Sequence, residues 1–351
     1  MQNLDKIAAY CRKHFPAGVP KVTEHQHYVP KRYLRSWCSG KRIAVKMKGG
    51  PPRLMGVRDV AEESWFYQFT ELGLAELETL INYIDINDDY VRTVAARLLA
   101  CSVVPQIARR IVKNQNDGEA VLMEEALRSN GLYDESSCQV YTVRYLAAVM
   151  RPEIADAGFE LLRKEGGERV LTGIENAAWP YLDKLKAGRV RFMTQPMEAI
   201  HWVEYLYLQL FRTPKARETI NDAVRQSGVN EDVARKISSY LAWVFAVKGA
   251  ADVMRNFDKF EFALIGNRSS VNFVTGDAPF LGLTNITDSN FIFPVSPKYA
   301  FYFGRREVGA IPTGLRNPTA DVIYDINNRL SKSCIRQVYA QEIDDLERLL
   351  I

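Results

Sequence analysis

Residues 231–265 read EDVARKISSYLAWVFAVKGAADVMRNFDKFEFALI, and a change of pattern inside this stretch decides the fold class. Up to Arg255 the apolar residues recur with the helical period, densest between Tyr240 and Val247 and cut by Lys248. From Phe260 onward the chain turns short, aromatic and β-branched, as strands do. Upstream, the helical period persists from about residue 71. Leu77, Leu80, Ile81 and Ile84 mark one face, and Val91, Val94, Ala95, Leu98 and Leu99 mark the next, which is expected to end near Pro105. Further helices are predicted over 119–129, 139–164 (interrupted at Pro152), 197–211, 214–227 and 231–255, with Pro214 as first residue of its helix and Thr213 as cap.

Downstream, strands are predicted over 261–265, 271–275, 291–294 and 300–303, separated by Gly, Asn and Pro. A helix over 319–331, a strand over 333–340 and a closing helix over 341–350 follow. At the other end, a first amphipathic helix and a turn-rich connector over 16–20 lead to an extended stretch over 24–30. A short helix over 31–37 and a strand over 41–48 come next, closed by Gly49-Gly50-Pro51-Pro52. The expectation is an α+β fold: a helical middle, 71–258, between β-containing segments 1–70 and 259–351 that meet in one antiparallel sheet and form one integrated domain.

The chain has 351 residues, 47% hydrophobic and 25% charged, with a net charge of +4. This is ordinary globular composition, long enough for a well-buried core. Five scattered cysteines without a C-x-x-C argue against a zinc knuckle and a disulfide framework. The N-terminus lacks an apolar signal core, and no apolar run reaches spanning length, so a soluble, cytoplasmic protein without a membrane partner is expected. Cations cluster at Lys41-Arg42 with Lys46 and Lys48, at Arg109-Arg110 with Lys113, and at Arg305-Arg306. Each cluster alone reads as a solvated face, while the mild basicity permits a nucleic-acid partner.

The densest polar chemistry lies at His25-Gln26-His27-Tyr28-Val29-Pro30-Lys31-Arg32-Tyr33-Leu34, which holds two of the four histidines. In an extended segment His25 and His27 share a face. Two imidazoles can bind a metal or move protons, but a metal needs a third ligand and no spacing selects one, so no metal site is assigned and no cofactor is identified. His27, fixed by Tyr28-Val29-Pro30, is the better candidate. Arg212, before the helix that starts at Pro214, has the chemistry of an anion clamp. Asp277, in Thr275-Gly276-Asp277-Ala278-Pro279, sits at a strand end, where sheets present carboxylates. Asn327 in a helix suggests a buried hydrogen-bonding role, and His201, beside Trp202, reads as a satisfied core histidine.

Taken together, these stretches resemble a bacterial family described as a domain of unknown function with an H-Y-V-P start. The resemblance covers most of the chain. It rests on His27-Tyr28-Val29-Pro30 with Tyr33-Leu34, Phe66-Tyr67, Gln209 with Arg212-Thr213-Pro214 and Arg217, Phe273 to Pro279, Phe293 to Pro297, and Asn327. Family members are expected to carry serine where Gly276 stands and often asparagine where Ala278 stands. The resemblance implies that His27, Arg212, Asp277 and Asn327 are drawn together. Such a set suits phosphodiester cleavage, with His27, Asp277 and Asn327 catalytic and Arg212, Arg217, Tyr28, Arg32 and Gln209 holding the substrate. The expectation is therefore a phosphodiester hydrolase, most simply a nuclease of bacterial defence or toxin type, acting on nucleic acid. The competing expectations are a non-catalytic binding or sensor protein, in which His27 bonds Asp277 and the motifs tie the chain ends together, and an enzyme on a small nucleotide or phosphorylated ligand.

Overall fold

A computed structural model describes residues 24–114, 116–133, 152–282, 290–308, 311 and 313–350. The expected first helix, the 16–20 connector and the part of the 139–164 helix before Pro152 lie outside the described residues. In chain order the first elements are β1 (His25–His27), α1 (Lys31–Leu34), β2 (Arg42–Met47), β3 (Pro52–Gly56) and β4 (Glu62–Ser64). The helices α2 (Leu74–Tyr83), α3 (Asp89–Lys113), α4 (Gly118–Ser129), α5 (Pro152–Lys186), α6 (Pro196–Phe211), α7 (Pro214–Gln226) and α8 (Glu231–Arg255) follow. The chain closes with β5 (Phe260–Gly266), β6 (Thr275–Gly276), β7 (Leu281–Gly282), β8 (Phe291–Ser296), β9 (Tyr299–Arg305), α9 (Thr313–Arg316), α10 (Ala320–Ser333), β10 (Gln337–Ala340) and α11 (Ile343–Glu347). The fold is α+β, with a helical middle and antiparallel sheets.

Two compact units divide the chain, and neither is continuous. Unit 1 takes residues 1–26, 64–173 and 220–248, and unit 2 takes 27–63, 174–219 and 249–351. Unit 1 is helical. Its helix starts are fixed locally: Asp88 accepts from Val91 N at the start of α3, and Asp117 accepts from Ala120 N at the start of α4. The helix marked by Val91, Val94, Ala95, Leu98 and Leu99 does not stop at Pro105 but runs on to Lys113. Proline removes one intrahelical hydrogen bond, and the burial of Leu98, Leu99, Val103, Val104 and Ile107 on both sides of it holds the helix together. Helix α3 is also long and apolar enough to cross a membrane, with 72% of that stretch buried, as in a core helix. Gln106 is the polar hub of the unit. It accepts from Leu72 N at 2.9 Å and donates to the Ser102 carbonyl at 2.9 Å and the Tyr240 hydroxyl at 3.1 Å.

Unit 2 holds the main sheets. The N- and C-terminal strands do meet, in a four-stranded antiparallel sheet ordered β3-β2-β10-β6, where Val45 faces Tyr339 and Thr275 faces Tyr339 from the other side. The remaining C-terminal strands, however, form a second four-stranded sheet, β5-β9-β8-β7, and β1 pairs with β4 in a two-stranded one, so one shared sheet is replaced by three. Helix α10 serves both cores. Ile323 and Ile326 pack with Ile265, Phe273, Ile292 and Tyr302. Leu330, one turn on, packs with Ala44, Val338 and Leu346. Thr319 caps this helix through Val322 N, and Thr213 caps α7 through Ala216 N, as its position before Pro214 predicts.

Candidate functional site

The Tyr28–Trp37 stretch is a buried wedge of unit 2. Tyr28, Val29, Tyr33, Leu34 and Trp37 are all fully or almost fully buried. Tyr33 stacks on Phe293 at 5.0 Å and donates to the Pro294 carbonyl at 2.7 Å, with Thr275 Oγ1 also 2.7 Å from its hydroxyl. Trp37 Nε1 donates to the Phe273 carbonyl at 2.8 Å. The aromatics beside the histidines thus fasten α1 and the turn after it to β6 and β8.

The polar residues follow the same logic. Gln209 Nε2 (3.3 Å) and Arg212 Nε (3.0 Å) both donate to the Tyr28 carbonyl, and Arg212 Nη1 reaches Glu175 at 2.6 Å. Gln209 is fully buried and Arg212 only 4% exposed. The carbonyl they serve lies past the end of β1, just before Val29-Pro30, where no strand partner is at hand, and the end of α6 supplies side chains instead. Asp277, 1% exposed, accepts three main-chain N–H groups: Ile335 at 3.0 Å, Arg336 at 2.5 Å and Gln337 at 2.9 Å. Its carboxylate ties the turn between α10 and β10 to the end of β6. Asn327 accepts from Val274 N at 3.1 Å and donates to the Asn272 carbonyl at 2.7 Å. This amide stands in for a strand partner, which is why the strand expected over 271–275 shrinks to Thr275–Gly276.

His27 is 9% exposed. Its Nε2 lies 3.2 Å from the Arg58 carbonyl and 3.9 Å from Glu62. These two partners come from the connection after β3 and from the first residue of β4. His25 is exposed, so the two histidines do not form one buried imidazole face. His201 is exposed and 3.9 Å from Glu204, not a core histidine. Arg32 donates to Asp183 at 2.8 Å and lies over the Trp179 ring, and Arg217 is half-buried in the first turn of α7. Among the described residues no three of His, Cys, Asp and Glu gather as a cation site.

Around Tyr28 the electrostatics are those of a closed interior. Burial, with the Asp277 charge, pushes the Tyr28 phenol up to about 12, and burial followed by Asp277 also raises the Cys334 thiol. Neither group is ionised at neutral pH, so neither is an activated nucleophile. Cys334 also explains the glycine at 276: a Cβ there would lie 2.2 Å from Cys334 Sγ and 2.9 Å from the Gln337 carbonyl. The cysteine occupies the space that a serine side chain would need.

A family model matches residues 25–344. The chain belongs to DUF4238, a family of proteins of unknown function. The match takes in every element of this DUF4238 chain from β1 to the start of α11, and with them all the residues just described. No curated protein and no solved structure matches it.

The segment that starts at His27 is itself strongly basic, although the acidic α11, with Asp344 and Glu347 exposed, packs against β2, β3 and β10. Residues 27–63 carry nine Lys or Arg against three acids (Asp59, Glu62 and Glu63), a net of +6 in a chain whose total is +4. Arg35, Lys41, Arg42, Lys48, Arg53 and Arg58 are exposed, and none forms an ion pair among the described residues. Lys46 turns inward, toward the Leu346 and Leu349 carbonyls at 3.4 and 3.5 Å. The cations of residues 41–48 alone read as a solvated face; their continuation through Arg53 and Arg58 carries the signal.

Proposed function

We propose that unit 2 is a nucleic-acid-binding module that holds a phosphate backbone against residues 31–58 without cutting it. One observation carries this reading: six exposed cations on and beside the β2–β3 hairpin form no ion pair among the described residues, while the chain outside residues 27–63 sums to −2. Cations without carboxylate partners are available to displace the counterions of a polyanion. A membrane surface fits less well, because Leu54 is the one large exposed apolar side chain in the 27–63 segment, and interfacial binding uses an apolar face as well as charge.

The test is fluorescence anisotropy of labelled single- and double-stranded oligonucleotides across a salt series. The triple variant Lys41→Gln, Arg42→Gln, Arg53→Gln is expected to lower the salt slope by about 2–3, roughly one per lost phosphate contact. An unchanged slope, or binding to phosphatidylserine vesicles with no affinity for oligonucleotides, overturns the reading.

A second reading, cleavage of the bound phosphodiester, is favoured by one feature. His27 lies 3.9 Å from Glu62, and its ring nitrogen contacts the main chain of Arg58 in the same basic segment. A histidine beside a carboxylate is a general acid–base pair in outline. Against it, the polar groups of Arg212, Asp277 and Asn327 engage the main chain, or Glu175, rather than one shared point.

A further inference from the structure

Unit 1 contains a cavity of about 240 Å3 beside Pro105 of α3. Ser102, Gln106, Arg109, Arg110 and Lys113 reach it from one face of the helix, at spacings of three, four and seven residues that place side chains in one stripe. Phe159 and Arg163 of α5, four residues apart, also line it. Of the charged groups in the wall, four are cations and one, Glu71, is an acid.

Glu71, in the wall, accepts from Arg109 Nη1 at 2.8 Å, and the remaining acids hold the cations from outside it. Asp156 accepts from Arg109 Nε at 2.8 Å and lies 3.0 Å from Lys113 Nζ, while Glu160 takes Arg163 through Nε (3.1 Å) and Nη2 (2.7 Å). Asp117 holds Arg110 through two bonds of 2.9 and 3.0 Å. None of these three acids lines the cavity. They fix the guanidinium planes and leave donors over: among the described residues Arg109 Nη2 and Arg163 Nη1 make no hydrogen bond. Donors fixed in advance lose little freedom when an anion arrives, and forked guanidinium groups match phosphate oxygens. Leu72, Pro105 and Phe159 give the rest of the wall an apolar character suited to a sugar or a ring.

We propose that this cavity binds a small phosphate ester, its phosphate on Arg109, Lys113 and Arg163 and its organic part against Phe159 and Pro105. The volume is below the roughly 300–1,000 Å3 of drug-sized sites, which favours a ligand no larger than a mononucleotide. The proposal is independent of nucleic-acid binding by unit 2.

Calorimetric titration of the full chain with inorganic phosphate, ribose 5-phosphate, adenosine 5′-monophosphate and adenosine tests it. Both esters are expected to bind at least tenfold more tightly than inorganic phosphate, and adenosine not to bind. Binding of ribose 5-phosphate alone would assign the organic part to a sugar, and tighter binding of the nucleotide to a base. Arg163→Gln and Lys113→Gln are each expected to weaken the esters tenfold or more. Lys113, with one half-exposed ion pair, keeps the test decisive if Arg163→Gln does not fold. Absence of binding by every phosphate probe at millimolar concentration, or affinity unchanged in Lys113→Gln, overturns the proposal.

Discussion

Asp277→Ala is expected to destabilise unit 2 more than any other substitution at a residue singled out by its motif. Removing the carboxylate takes from the part-buried N–H groups of Ile335, Arg336 and Gln337 the acceptor that Asp277, itself 1% exposed, supplies. An unsatisfied buried donor costs about 1–3 kcal/mol, so three of them span about 3–9 kcal/mol, and their partial exposure places the loss in the lower half of that range. That is a large share of the about 5–15 kcal/mol that holds a domain together. Asp277→Asn rescues only part of the loss, because one amide oxygen remains while the NH2 group faces donors. Urea denaturation followed by circular dichroism measures both. A loss below about 1 kcal/mol for Asp277→Ala, the size of one ordinary hydrogen bond, would contradict the clamp.

Arg212→Ala is expected to cost nearly as much, about 3–5 kcal/mol, as when one partner of a buried ion pair is removed. The Tyr28 carbonyl loses its shorter side-chain donor, and Glu175, 18% exposed, loses its cation. Arg212→Lys is not a rescue, since an ammonium cannot serve the carbonyl and the carboxylate in one plane. The decisive comparison is between stability and binding. Both losses are expected in the denaturation midpoint, while oligonucleotide affinity of the protein that remains folded stays within about twofold of wild type, near the limit of ordinary surface effects. Loss of affinity at full stability would instead make Arg212 an anion clamp.

The two outcomes separate readings that the sequence could not. An arginine that binds a phosphate oxygen and one that binds a carbonyl present the same donors. A carboxylate that orients a reacting group and one that gathers three main-chain amides present the same acceptors. Residues 27, 209, 212, 277 and 327 were therefore legible as important and illegible as to partner, because the partner is main chain, which has no letter in the sequence. Asn327 makes the point twice: its amide replaces a strand for Asn272 and Val274, so the β pattern at 271–275 predicted more strand than forms.

Where local chemistry decides, the reading carried through. Helix α8 runs over Glu231–Arg255, and Thr213 with Pro214 starts α7. Where tertiary packing decides, it did not. Pro105 predicts an end, yet burial on both sides carries α3 through it. The cations at 109, 110 and 113 looked like a solvated face because the acids that hold them, Asp156 and Asp117, come from other segments. The splitting of the C-terminal strands into two sheets depends on α10 offering apolar residues to both cores, which no single strand records.

The central claim is that this chain binds a phosphate backbone and leaves it whole. A gel that follows one end-labelled oligonucleotide after incubation with the protein and magnesium or manganese reads both halves at once. The expected result is a shifted band under native conditions, lost in the triple variant Lys41→Gln, Arg42→Gln, Arg53→Gln, and full-length strand recovered under denaturing conditions. Shortened products that vanish in His27→Ala would contradict it and assign the protein to phosphodiester cleavage.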